Sequence, residues 1–368
     1  MEENGSGVSV RTDYSRETGR RNLSYAVDYD IAMPDTAPLD VRNRFGSTEV
    51  SNLHASAAIH SGNGSVSFFN GRGRQRIENT FGMVEVRKNE GDVTIDNSGS
   101  PTIAIDITGA VEITNQFGEV RVANVSSKVG IHSSSTNVQV SNAGGPVIIS
   151  NTFGIVAVSD AQSDVTVQNA NADITATGIA GTADLRNTGA AIKFSRIGKG
   201  LTVHATNAIV RGDTVGESAT IETTFGSVDL QGVKGGARIT TGNSPIHASG
   251  IGGELYAKTS FAAITIGDVG GPITVEAQNA FVMVDAKTAR RCQPVSILTS
   301  YGPIRLTIPQ GVGYNVTART TFGGIHSDPA LQISTSGALR QDEITGKIAG
   351  GGCDLRLMDQ NGSIDILR

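Results

Sequence analysis

The dipeptide Phe-Gly recurs at Phe45, Phe81, Phe117, Phe153 and Phe225, always a multiple of 36 residues apart, and Phe261 continues the series as Phe-Ala. Only Gly189 interrupts it. Midway between these positions stand Asn63, Gly99, Ser135, Asn171, Asn207, Asn243 and Asn279, so the true step is 18 residues, with large and small residues alternating. Self-similarity at a fixed period marks a stack of like units and constrains the fold more than any local propensity.

Other columns keep the same step. A polar ladder runs through Asn43, Ser61, Asn79, Asn97, Asn115, Ser133, Asn151, Asn169 and Asn187, then becomes Ala205, Thr223, Thr241 and Thr259. An apolar ladder begins at Ile107, Val125 and Ala143 and ends at Ile251 and Val269. Between the ladders lie alternating pairs, such as Val93/Ile95, Val111/Ile113 and Val129/Ile131 in one stretch, and Val84/Val86, Val120/Val122 and Val138/Val140 in the other.

Alternation over a few residues is the strand period with one face buried. A strand of about five residues and a turn of about four make nine, and two such units make one coil. No coil can bury its apolar face alone, so coils must stack at about 4.8 Å, each strand pairing with its neighbours above and below. The expected fold is all-β: a single-stranded β-solenoid, or β-helix, of 18-residue coils with two short strands per coil and capped ends. Roughly thirteen coils span positions 45–287, and at that spacing they give a rod on the order of 65 Å. A 36-residue coil of four strands would be too wide for Val, Ile and Ala to fill. The period alone leaves two- and three-sided 18-residue coils both open. A Phe ring at every level would crowd a corner, so small residues between the rings make room. The stretch Ser100–Ile105 puts Thr102 and Ala104 at inward positions. That predicts either a bulge or a thinly packed layer there.

The ends differ from the middle. Residues 1–40 lack the period and are expected to form an N-terminal cap, with a covering strand around Ser24–Ile31. Residues 41–290 form the regular solenoid. Lys287–Cys292 interrupts the rhythm, and residues 291–368 are expected to be irregular C-terminal coils and a cap.

Composition narrows the function. Gly is abundant at 46, aromatics make up 5%, Trp is absent and charged residues make up 18%. That is a strand-and-turn vocabulary. The net charge of -5 and the lack of any long basic run speak against nucleic acid. No apolar run approaches the length of a membrane helix, so no membrane insertion is expected. The polar start Met1–Gly7 reads as a processed end rather than a signal peptide. Cys292 and Cys353 allow one disulfide or two free thiols.

No residue stands out as catalytic, cofactor-binding or metal-binding. The Asn ladder reads as corner residues that tolerate left-handed backbone and bond one another along the stack. His54, His60, His132, His204, His247 and His326 lack convergent zinc spacing and read as outward surface residues. Asp160 and Asp164 read as a solvated pair, because calcium needs about six to eight oxygens. A polysaccharide-cleaving β-helix would need paired carboxylates. In the two outward columns that include Glu112, Asp184, Glu85 and Asp229, carboxylates never occupy adjacent coils. No Ser/His/Asp, nucleotide-loop or CxxC pattern occurs.

The tail carries a resemblance. Tyr301–Leu306, Val316–Ile325, Gly350–Leu357 and Asn361–Ile366, with the opening segment from Met33-Pro34 to Leu39–Gly46, resemble in order the DUF4097 adhesin-like family of bacterial β-strand-repeat proteins. The resemblance covers about residues 30–368. It implies a β-solenoid in a bacterial envelope or exported setting, and it carries no catalytic residues. The expected function is a non-catalytic structural or adhesin-like module that binds protein or glycan through its flat strand faces, without cofactor. The alternatives are a polysaccharide-active β-helix enzyme and a self-assembling scaffold. The oligomeric state is left open.

Overall fold

The computed structural model describes residues 2–4, 7–12, 26–287, 291–335 and 340–368. Among these there is no α-helix, and one short 3-10 turn, Pro329–Leu331, is the only helical element. Each coil contributes one strand to each of two sheets. Val93–Ser98, Val111–Gln116 and Val129–Ser134 run parallel in the first sheet, and Val84–Glu90, Thr102–Ile107 and Val120–Val125 run parallel in the second. In the regular part, paired residues lie one coil apart: Asn79 pairs with Asn97, and Asn97 with Asn115. Coils are therefore two-stranded, which decides between the two cross-sections the period allowed.

The alternating pairs face inward. Val93, Ile95, Val111 and Ile113 are all buried, as are Val84, Val86, Val120 and Val122 across from them. The apolar ladder from Ile107 to Val269 is buried too. A left-handed residue just before each ladder position makes that inward turn. Asn52, Asn70, Lys88, Asp106, Asn124, Asn142, Asp160 and Arg196 all have positive φ and fall on one column of the coil. Asn and Asp suit this conformation because their short polar side chains tolerate it.

The layer at Thr102 keeps its register, pairing with Val84 below and Val120 above, so no bulge occurs. Thr102 and Ala104 are fully buried, and the Thr102 hydroxyl accepts a hydrogen bond from Asn97 Nδ2 at 3.0 Å. That bond removes the cost of burying a hydroxyl.

Fourteen levels follow chain order, from Leu39–Phe45 to Ile273–Asn279 in the first sheet. Then the order breaks. Val295–Leu298 stacks on Ile273–Asn279, Cys353–Met358 stacks next, and Tyr314–Arg319 comes last. The second sheet matches it, with Ile364–Leu367 between Ile304–Thr307 and Ile325–Ser327. The chain thus returns to insert its final coil beneath an earlier one. These three levels bring the total among the described residues to seventeen. At the usual strand spacing the rod is about 80 Å long. Glu343–Ile348 closes the far edge antiparallel to Tyr314–Arg319, and Ser334–Thr335 pairs outside it. Cys292 and Cys353 are disulfide-bonded with Cα atoms 5.6 Å apart, tying the interrupted segment to the start of the inserted strand.

The described part of the expected N-terminal covering strand does not form a strand. Residues 24 and 25 lie outside the described residues, and residues 26–31 carry no strand. Val27, Tyr29 and Ile31 are exposed. Their alternation finds no partner at the edge of Leu39–Phe45. That end is held instead by Met33 against the core, a turn from Pro34 to Ala37, and a contact between the Asp35 carboxylate and His54 Nδ1 at 2.8 Å.

Candidate functional site

The Phe column lies on the outside of the rod, along the corner that leads from the first sheet to the second. Phe45, Phe81, Phe117, Phe153, Phe225 and Phe261 are each at least half exposed. A Cβ on Gly99 would sit 3.0 Å from the Phe81 ring, so the small residue at the next level gives the ring its space. The Gly after Phe81, Phe117, Phe153 and Phe225 has a separate cause. At Gly154, φ is +121° and an added Cβ would lie 1.9 Å from the Thr136 carbonyl oxygen of the coil below. The turn backbone packs too closely for any side chain there.

The alternation continues beyond Asn279 in stacking order rather than chain order. Tyr301 pairs with Asn279 below and with Asn361 above. The Phe322 amide donates to the Gln360 carbonyl, which seats Phe322 over Asn361. The corner therefore reads Phe261, Asn279, Tyr301, Asn361, Phe322 through the rearranged levels. Tyr301 is 53% and Phe322 73% exposed. Reading along the chain did not find these last members, because stack order is not visible there.

Beside this corner, the outer face of the first sheet forms an open trough of about 820 Å³. Its floor includes Gln168, Arg186, His204 and Glu222 from successive coils, and its rim includes Thr152, Thr188 and Thr224. Arg186 donates two hydrogen bonds to Asp184, both at 3.1 Å, and this raises the guanidinium pKa further. His204 meets Glu222 at 3.2 Å.

A second hollow lies nearer the N-terminal end, lined by Glu78, Asp96, Glu112 and His132. Glu78 and Asp96 are register partners on adjacent coils. They belong to a third outward column, two residues beyond the one that holds Arg76, Thr94 and Glu112. The expectation of no adjacent carboxylates holds for the two columns considered and fails for this one. Glu78 is held below the ordinary carboxylate range, first by its hydrogen bond from Arg76 and then by His60 at 2.9 Å. Glu112 pairs with Lys128 at 2.8 Å.

The Asn ladder is buried at the base of the aromatic corner; Ser133 donates to Asn151 Oδ1 at 3.0 Å along the stack, as expected, but most of the ladder amides bond corner carbonyls of their own coil and the coil below. Asn79, Asn115, Asn151 and Asn187 each donate Nδ2 to the carbonyl three residues on, Gly82, Gly118, Gly154 and Ala190, at 2.7–3.1 Å. The left-handed backbone expected of it belongs to the opposite column, where Asn142 donates to Asn124 and Asn124 to Asp106. Two polar columns share the roles first given to one. Asp359 occupies the ladder position at the inserted level, 5% exposed, with Oδ2 unpaired; burial pushes its carboxyl pKa up.

The remaining candidates stay apart. Asp164 accepts the Thr182 amide of the next coil at 2.8 Å, which lowers its pKa, while Asp160 sits on the left-handed column. His54, His60, His204 and His326 each face one carboxylate, and His132 and His247 are exposed. Among the described residues no three His, Cys, Asp or Glu side chains form a group able to hold a metal.

A family model described as Toastrack DUF4097 matches residues 129–367, well over half of the chain. The chain belongs to this family. Its Toastrack match starts at the strand Val129–Ser134 and takes in the rearranged C-terminal levels, while residues 45–128 extend the same 18-residue coil beyond it. No curated protein and no solved structure matches the Toastrack chain.

Proposed function

We propose that this Toastrack solenoid is a non-catalytic scaffold of the bacterial cell envelope that binds protein or glycan through an exposed strand face. The observation that carries this reading is the open trough over Gln168, Arg186, His204 and Glu222. It is preformed, polar and as long as several coils, the form of a surface that grips an extended partner. Its charged groups are held by neighbours, so little order is lost on binding. The Cys292–Cys353 disulfide suits an oxidising, exported setting. Among the described residues no helix is long and apolar enough to cross a membrane.

A glycan array and a pull-down with the whole chain test the reading. A retained partner that is lost in the Arg186→Ala/His204→Ala variant supports it. Turnover of a polysaccharide with no retained partner overturns it.

The second reading, a polysaccharide-active enzyme, has its own location in the hollow at Glu78, Asp96 and Glu112. Glycoside hydrolysis needs one carboxyl kept protonated near neutral pH and facing substrate. Glu78 is shifted the opposite way, and the raised carboxyl, Asp359, is buried under the corner. Hydrolysis abolished by Asp96→Asn would favour this reading over the scaffold.

A further inference from the structure

The aromatic corner is symmetric about its midpoint. Gly189 stands at the ninth of seventeen levels, with aromatics at four alternate levels on either side and small or polar residues between them. From the centre outward, Phe153 mirrors Phe225 and Phe117 mirrors Phe261. Farther out, Phe81 mirrors Tyr301 and Phe45 mirrors Phe322. The symmetry holds only in stacking order, so it belongs to the folded surface and not to the sequence repeat.

We infer that this corner is the contact between two copies of the chain, related by a two-fold axis passing beside Gly189. In an antiparallel pair so placed, every aromatic meets an aromatic, and every small or polar level meets another. An isologous contact requires this self-complementarity. The missing ring at Gly189 falls where each corner would meet its own counterpart on the axis. Both copies also share one axial spacing, about 9.6 Å for two coils, so no mismatch accumulates along the rod.

The area is sufficient. A Phe or Tyr side chain carries roughly 150–250 Å², so half-exposed rings present about 100 Å² each and eight present about 800 Å². That equals the per-partner area of a standard stable interface, about 800 Å². Met83, Ile155 and Ile209, two residues beyond the ring column, are exposed and broaden the strip.

The test uses the whole chain with its native disulfide. Sedimentation or light scattering should give twice the 38.1 kDa chain mass. Phe153→Ser/Phe225→Ser should weaken association about a hundredfold or more, as loss of central aromatic anchors does, with an unchanged circular dichroism spectrum. Thr188→Cys, beside the axis, should cross-link to itself under mild oxidation. Thr152→Cys should not self-link, but should link to Thr224→Cys when the two variants are mixed. A monomer at about 100 µM, well above the micromolar range of specific complexes, would overturn the inference, even if the corner then captured a glycan. Self-linking of Thr152→Cys, or association indifferent to the Phe substitutions, would overturn it as well.

Discussion

Phe322 is seated over Asn361, although Asn361 comes later in the chain. The last coil is therefore built between two earlier ones and is paired on both sides.

Removing residues 353–368 should do more than fray an end. It takes away the level on which Tyr314–Arg319 and Ile325–Ser327 rest. Hydrogen exchange should show loss of protection across residues 314–327, while Val295–Leu298, still paired with Ile273–Asn279, and Val111–Val125 stay protected, because contacts in a solenoid are between neighbours. The disulfide acts at the same place. It joins cysteines separated by 61 in sequence. Cys292→Ser/Cys353→Ser opens that loop, and for a closure of this length chain entropy gives up to about 4 kcal/mol. Thermal or urea unfolding of the C-terminal unit should show the loss.

Asp359 sets a pH dependence. Its folded pKa is raised by burial above the ordinary 3.8, so the fold favours the protonated form. Its carboxyl therefore costs no stability at low pH, and a penalty grows as pH rises from the ordinary value through the folded one. Asp359→Asn would place an amide where Asn115 already donates to the carbonyl three residues on. At pH 7 the variant should be more stable by about 1 kcal/mol, the cost of one unsatisfied buried group. The gain should vanish below pH 4. Urea midpoints measured from pH 4 to pH 8 check both statements.

The turn under the aromatic corner distinguishes side-chain bonding from backbone packing. Asn115→Thr should be tolerated better than Asn115→Ala, since Thr241 makes the equivalent bond to the Ser244 carbonyl at 3.1 Å. Asn115→Ala should lose about 1–2 kcal/mol through the lost hydrogen bond and the void, although the Gly118 carbonyl keeps the Thr136 hydroxyl as a donor. At Gly154, positive φ and contact with the Thr136 carbonyl together oppose a side chain. Gly154→Ala should therefore cost more than about 1 kcal/mol. Equilibrium unfolding of the three variants ranks them.

The regular coils were legible because their signal is local and repeated: Val111/Ile113 and Asn115 announce a strand face and its corner at each level. The C-terminal order was not, because which strand lies on Val295–Leu298 depends on a return of the chain that no period records. The N-terminal alternation at Val27, Tyr29 and Ile31 predicted a strand, but residues 26–31 do not pair with the edge of Leu39–Phe45. Phe81 and its equivalents signalled the coil size correctly, but their exposure follows from the corner's geometry and not from residue type. The column of Glu78 and Asp96 was readable from the same 18-residue step, two places beyond the one followed.

Spin labels on the outer face of the first sheet measure the stacking itself. Thr94, Thr166 and Arg238 lie in one column, with register partners linking each level to the next. In labelled chains diluted with unlabelled protein, stacking at about 4.8 Å per coil predicts backbone separations of about 19 Å for Thr166–Arg238 and about 38 Å for Thr94–Arg238. Distances that failed to double, or that did not scale with the number of 18-residue steps, would contradict the stacked-coil fold and every surface built on it.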